Sequence, residues 1–352
     1  MPASTPRFMK GALHDAGDLM EVRDDLPMPE QFSGSALIRV RRTGICGSDL
    51  HMNNERTEPQ TMPGGHEVAG DVVEVPAGET RIAVGDRVAV ETIGSGKACN
   101  ECWYCNMGQY RHCTDKSDET GGGFAEYMTR KPGGLYKLPD DMSWTDGALV
   151  EPLAVSVHAV RWGGMAPGDT VAVVGSATIG VAAIAAARQL GAGRIIASAR
   201  YDQQAVAAAR MGADVVVGSE PGELEEAARG ATDGRGADIV FESIGGNSAD
   251  TLVQAMDTCR MQGKIVVIGG FRKPVEFDFL APMLNEQSIL LSSCYGIVDG
   301  HHDYEVSIDI LASGRVPFHE IVTHSVPLSE IQTGFETAYD KSTGSIKVHV
   351  EI

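Results

Sequence analysis

Four cysteines crowd into fifteen residues as Cys99-x-x-Cys102-x-x-Cys105-x7-Cys113, and this spacing constrains the chain more than any other feature of it. Four thiolates on one short lobe satisfy a tetrahedral zinc and leave no coordination position open, which makes such a site structural rather than catalytic. An iron–sulfur cluster can also begin with C-x-x-C-x-x-C, but that run closes with a nearby fourth cysteine and a proline. Here seven residues intervene before Cys113, and Thr114 follows it. The cysteines number seven in all, and the N-terminal MPASTPRFMKGALHDAGD lacks the apolar stretch of a secretory signal. Metal binding in a cytoplasmic protein is therefore expected, not a disulfide framework.

A second, mixed set of donors lies upstream. Gly44-Ile-Cys46-Gly-Ser48-Asp49-Leu-His51 supplies a thiolate, a hydroxyl and an imidazole within six residues, and Gly65-His66-Glu67 adds an imidazole and a carboxylate. Cys, His and Glu ligands with one position left open describe a catalytic zinc. The expectation is two zinc ions per chain.

At 352 residues the chain is too long for one small core, so two domains are expected. Its net charge of −19 repels a polyanion and argues against nucleic acid as a partner. No apolar run approaches the roughly 20 residues that span a bilayer, so no membrane segment is expected. The first 150 residues hold short β-type runs such as ALIRVRR and EVAGDVVEV between glycines, the texture of an irregular, partly barrel-like β domain.

From about residue 155 the pattern changes. Apolar strand-like runs at 170–174, 194–197, 215–217, 238–241, 264–268 and 289–291 alternate with helical segments. That alternation predicts a doubly wound parallel α/β sheet of six strands, the Rossmann arrangement. Gly175-Ser-Ala177-Thr178-Ile179-Gly180 sits after the first of these strands and opens a helix, as a dinucleotide-binding turn requires, with Ala177 in place of the middle glycine. Backbone N–H groups there are expected to hold a pyrophosphate. The second strand ends in Ser198, Ala199 and Arg200. An enzyme specific for NAD usually places an acid near this point for the ribose 2′-OH, and Ala199 stands in its place. Arg200 beside it suits a 2′-phosphate, so NADP is expected, with NAD second on the strength of Asp202.

GICGSDLH at 44–51, GGHEVAGDVVEV at 64–75, GDRV at 85–88, the four-cysteine run, GGFAEY at 122–127, the glycine turn and Ile346-Lys347-Val348 together resemble the zinc-containing medium-chain alcohol dehydrogenases, nearly end to end and in order. Glu151-Pro-Leu-Ala154 is similar to the polyol (sorbitol) and threonine dehydrogenase branch. The resemblance implies a discontinuous GroES-like catalytic domain, 1–154 with 299–352, carrying the structural-zinc lobe at 95–115, and a Rossmann domain at 155–298. It implies Cys46, His66 and either Glu67 or Glu151 on the catalytic zinc, Ser48 and His51 as a proton relay, and Lys347 reaching the cofactor phosphates. Gly269 and Phe271 match the loop beside the nicotinamide. The branch also implies a homo-oligomer, a tetramer before a dimer.

The segment 292–302 lacks the arginine familiar in sorbitol dehydrogenases. Leu50, Tyr295 and Ile297 point instead to a small, moderately apolar secondary alcohol or ketone as substrate, with a polyol or a threonine-type amino alcohol as alternatives. A non-catalytic zinc and dinucleotide-binding descendant, or a zinc-free reductase of the same fold, should have lost part of the ligand set or relay. Cys46, Ser48, His51, His66, Glu67 and Glu151 are all present.

Overall fold

The computed structural model describes residues 6–15, 19–32, 34–54, 57–118 and 121–352. The chain divides into two compact units, Met1–Glu151 with Val322–Ile352, and Pro152–Ile321. Among the described residues, no helix is long and apolar enough to cross a membrane.

The first unit is built on a seven-stranded mixed sheet. Its strands run Val322–Pro327, Lys347–Glu351, Ala36–Ile45, Glu67–Glu74, Arg87–Glu91 and Leu135–Lys137, with Tyr127–Arg130 pairing separately on Ala36–Ile45. Alternate residues point to one side, as the period of two requires, so Ile38, Val40, Val68, Val72, Val88 and Val90 close into one buried cluster with Met128 and Leu135. The C-terminal strand joins this sheet antiparallel, Val348 opposite Ile45 and Glu351 opposite Arg42. That pairing returns the end of the chain to the unit in which it began.

The second unit holds a six-stranded parallel sheet in the order Val215–Val217, Arg194–Ser198, Thr170–Val174, Ala237–Glu242, Cys259–Val267, Ser288–Leu291. The chain thus winds outward twice from Thr170–Val174, the 3-2-1-4-5-6 order of the doubly wound dinucleotide fold. Helices between the strands bury alanine- and leucine-rich faces against it, including Leu224, Ala228, Leu252 and Ala255.

Residues 299–321 pack with this unit rather than with the first, so the second boundary lies further along than expected. Asp303 contributes to this packing. Its buried carboxylate takes Arg161 Nη1 at 2.6 Å, His158 Nδ1 at 2.7 Å and the N–H of Gly296 at 2.9 Å. Arg161 also donates to the carbonyls of Val298 and His301. A buried carboxylate needs every one of these partners, and they tie 296–303 to the helix Trp144–Trp162.

Candidate functional site

The four-cysteine lobe is folded around its sulfurs. A one-turn helix Trp103–Asn106 carries Cys105, and a 3-10 turn Tyr110–His112 delivers Cys113. The Sγ–Sγ separations are 3.5 Å for Cys102–Cys105, 3.5 Å for Cys113–Cys99 and 3.9 Å for Cys99–Cys105. Four sulfurs around a zinc at about 2.3 Å lie roughly 3.8 Å apart, so these separations fit one tetrahedral ion. Backbone N–H groups support the charge, those of Glu101 and Cys102 reaching Cys99 Sγ at 3.4 and 3.3 Å, and that of Cys99 reaching Cys113 Sγ at 3.3 Å. Such bonds hold the Cys99 thiol below its usual range, and those from Thr114 and Cys105 bring Cys102 down to about 6. Burial pushes Cys105 up to about 12, so the cation itself must supply the stabilisation of that thiolate.

The mixed set converges within the first unit. Cys46 lies between the strand Ala36–Ile45 and the helix Gly47–Asn54, while His66 precedes the strand Glu67–Glu74. Glu67 lies opposite Gly44 in the ladder. A side chain at 44 would put its Cβ 1.8 Å from Glu67 Oε2, so only glycine leaves room for that carboxylate. Donor atoms of Cys46, His66 and Glu67 lie within 4.8 Å of one another, a spacing that suits a shared zinc. Glu151 is not in this cluster, although its charge reaches Lys347.

Two further residues complete the arrangement. Asp49, buried, accepts the N–H of Cys46 on Oδ2 at 2.9 Å and faces His66 Nδ1 with Oδ1 at 3.5 Å. Nothing in the sequence singles it out as functional beyond its spacing, a carboxylate three residues after a candidate ligand cysteine and so well placed to orient a neighbouring imidazole. Burial lowers the His66 pKa, but Asp49 and Cys46 outweigh it and carry the ring well above its usual range. Lys347, expected at the cofactor phosphates, pairs with Glu67. Its side chain is 2% exposed, and its ammonium donates to both Glu67 oxygens, at 2.6 and 2.8 Å, and to the Ile45 carbonyl at 3.1 Å. Burial works against that charge, but Glu67 and Cys46 raise the pKa.

Ser48 and His51 share the helix Gly47–Asn54 three residues apart, hence on one side of it. Ser48 is half-buried and His51 exposed, the order that an inside-to-outside proton path needs. A cleft of about 1110 Å³ in this unit reaches His66 and Asp49. Its described lining mixes the polar Thr57, Gln60, Thr61, Thr92 and Ser117 with the apolar Met62, Ile93, Phe124 and Phe335. Leu50 packs on the core cluster around Phe124 and Phe335, and Tyr295 stacks edge-on against Tyr304 inside the second unit.

In the second unit, Gly175 follows the strand Thr170–Val174 with φ 87°, and the helix Thr178–Gln189 starts behind an Ala177 N-cap with no side-chain cap. A helix start whose N-cap side chain makes no capping hydrogen bond is where backbone N–H groups can meet an anion. A Cβ on Gly180 would stand 1.9 Å from the Gly175 carbonyl, so the turn closes only on glycine. Ser198 Oγ accepts the Gly175 N–H at 3.0 Å, and Ser176 donates to the Ser198 carbonyl at 2.8 Å, tying the turn to the end of the second strand. Ala199 is buried there, and the exposed Arg200 lies beside the Tyr201 ring. Asp202 begins the next helix, Asp202–Met211. Gly269 donates to the Glu242 carbonyl at 3.1 Å, and Phe271 bridges to Gly246.

A unit with a Cys–His–Glu cluster and a tetrathiolate lobe, joined in one chain to a doubly wound dinucleotide unit, defines a zinc-dependent dehydrogenase. Residues 33–140 match the alcohol dehydrogenase GroES-like domain and residues 178–313 the zinc-binding dehydrogenase domain. The chain is similar to sorbitol dehydrogenase of Bacillus subtilis (strain 168), 31% identical over 99% of each chain. It is also similar to D-arabitol-phosphate dehydrogenase of Enterococcus avium, 32% identical over 93% of this chain and 92% of the relative. A zinc-binding dehydrogenase from Sinorhizobium meliloti 1021, solved with NADP bound, superposes with a TM-score of 0.86 at 27% identity, covering 99% of this chain and 100% of that one. The chain belongs to the zinc-type alcohol dehydrogenase family, in the company of its polyol dehydrogenases, and is an alcohol/polyol oxidoreductase.

Proposed function

We propose that this enzyme interconverts a polyol and its ketone using NADP(H), with one catalytic and one structural zinc per chain, in the cytoplasm and as a homo-oligomer. The observation that carries the reading is the meeting of Cys46, His66 and Glu67 under the Asp49 carboxylate. The four sulfurs at tetrahedral spacing support the second ion. Cys46, His66 and Glu67 would hold the catalytic zinc, with Glu151 a nearby carboxylate, and Cys99, Cys102, Cys105 and Cys113 the structural one. When bound, zinc stabilises negative charge on the substrate oxygen and the nicotinamide exchanges hydride with the carbinol carbon.

The chain's own groups do the rest. Ser48 takes the hydroxyl proton and passes it to His51, whose exposed ring gives it to solvent. Asp49 orients His66, and Lys347 balances the buried charge of Glu67. The turn at Gly175, Ala177, Thr178, Ile179 and Gly180 receives the pyrophosphate, Ser198, Ala199 and Arg200 face the adenosine ribose, and Gly269 and Phe271 border the nicotinamide. A polyol is favoured over an apolar alcohol because Thr57, Gln60, Thr61, Thr92 and Ser117 set hydroxyl and amide groups among the apolar side chains of the cleft beside His66, and because the chain is similar to enzymes named for polyol substrates.

The test is elemental analysis of the purified enzyme together with a substrate panel. Close to two zinc ions per chain are expected, with activity lost on chelation. Cys46→Ala should abolish turnover with the fold intact, whereas Cys105→Ala should chiefly lower thermal stability. Full activity in Cys46→Ala would overturn the assignment.

A further inference from the structure

The cleft beside His66 runs against the charge of the whole molecule. The chain carries 48 acidic and 29 basic residues, yet among the described residues lining this cleft Lys97, Arg111, Lys116 and Arg130 outnumber the carboxylates Asp49 and Glu58. Asp49 is already engaged by Cys46 and His66. Arg111 and Lys116 both come from the neighbourhood of the structural zinc, two residues before Cys113 and three after it, and Lys116 Nζ donates to the Arg111 carbonyl at 2.7 Å. The tetrathiolate lobe therefore sets two cations at the wall of the cleft. Lys97 and Arg130 are nearly buried in the same wall, where water screens a charge poorly.

We propose, resting on the reading of this site as a polyol dehydrogenase, that the preferred substrate is an anionic polyol. A phosphate or carboxylate on its chain is held by Arg111 and Lys116 while a carbinol reaches the zinc ligands at His66. Guanidinium and ammonium groups bind either anion through charge-assisted hydrogen bonds. The hydroxyls and amides of Thr57, Gln60, Thr61, Thr92 and Ser117 pair with the remaining hydroxyls. The cleft volume of about 1110 Å³ accommodates a six-carbon chain bearing such a group.

The experiment compares kcat/KM of the zinc-loaded enzyme for D-sorbitol, D-sorbitol 6-phosphate and D-gluconate with NADP⁺, at low and high ionic strength. One anionic compound is expected to exceed D-sorbitol by about tenfold or more, the gap narrowing with salt. A phosphate preference or a gluconate preference identifies which anion the cations serve. The double substitution Arg111→Gln with Lys116→Gln should reduce the anionic-to-neutral ratio by about tenfold, mainly through KM, with zinc content unchanged. Calorimetric titration with D-sorbitol 6-phosphate and with D-gluconate gives a readout that does not depend on turnover. Equal or better use of D-sorbitol would overturn the anion proposal while leaving the dehydrogenase reading in place. Oxidation of none of the three would count against the polyol reading, and absence of calorimetric binding by both anions would then overturn the anion site as well.

Discussion

At the residue scale, the proposed preference for NADP(H) rests on two neighbouring positions. Ala199 is buried where an acid would hold a ribose hydroxyl, and the Arg200 guanidinium is exposed beside it. A charge-assisted contact of an exposed guanidinium with a 2′-phosphate is worth roughly 1.5–3 kcal/mol, or about ten- to a hundredfold in discrimination. Replacing Ala199→Asp together with Arg200→Ser should reverse a preference for NADP⁺, since the phosphate then meets a like charge and the NAD⁺ ribose gains an acceptor. The measurement is kcat/KM for both cofactors, before and after substitution, at one ionic strength. Equal use of NAD⁺ by the unsubstituted enzyme would reduce Arg200 to a surface residue.

At the scale of elements, the central strands of the parallel sheet are fastened at their starts by one carboxylate. Asp238, in the strand Ala237–Glu242, accepts the Thr170 N–H at 2.8 Å from one neighbouring strand and Arg260 Nε at 2.7 Å from the other. Burial works to raise its pKa, but Arg260 and the Thr170 N–H together hold the carboxyl below its ordinary value. A carboxylate depressed in the folded state contributes stability fully above its unfolded pKa of about 3.9 and loses it as pH falls through the lower folded value. The group is about one-third exposed, so the contribution is modest. Asp238→Asn should cost about 0.5–1.5 kcal/mol near neutral pH and much less in strong acid, as read from denaturant unfolding at a series of pH values. A cost independent of pH would show that shape, not charge, fastens the strands.

At the scale of the molecule, the parallel sheet ends in an edge strand. Among the described residues, Ser288–Leu291 pairs with Cys259–Val267 alone, and Leu291 is 76% exposed. The nearby helix Leu280–Leu284 exposes Leu280, Met283 and Leu284, with Phe279 just before it. An edge strand flanked by large apolar groups suits burial against a second copy, in line with the proposed homo-oligomer. Light scattering at micromolar concentration should give a homo-oligomer, a tetramer before a dimer, and Leu291→Lys should shift it towards smaller species. A monomeric mass for the unsubstituted protein would count against this surface as an interface.

Features set by local chemistry were legible in the chain itself. The spacing of the four cysteines pointed to one tetrahedral set, and their sulfurs do converge, while six apolar runs separated by helices do wind a parallel sheet. Cys46, His66 and Glu67 could be named as donors from residue type, but their meeting depends on the pairing of Gly44 with Glu67 across two strands. Contacts between residues far apart in sequence were not legible. Lys347 is separated from Glu67 by 280 residues, and nothing local to Ile346-Lys347-Val348 shows that the C-terminal strand buries its ammonium on that carboxylate. The charge of the cleft was hidden for the same reason. Arg111 and Lys116 read as surface cations of an acidic protein, and only the folding of the zinc lobe against the loop at 57–66 turns them into one wall of a site. Residue types and short spacings follow from covalent chemistry and local geometry, whereas the partner of a buried charge is chosen by the strand register that excludes water around it.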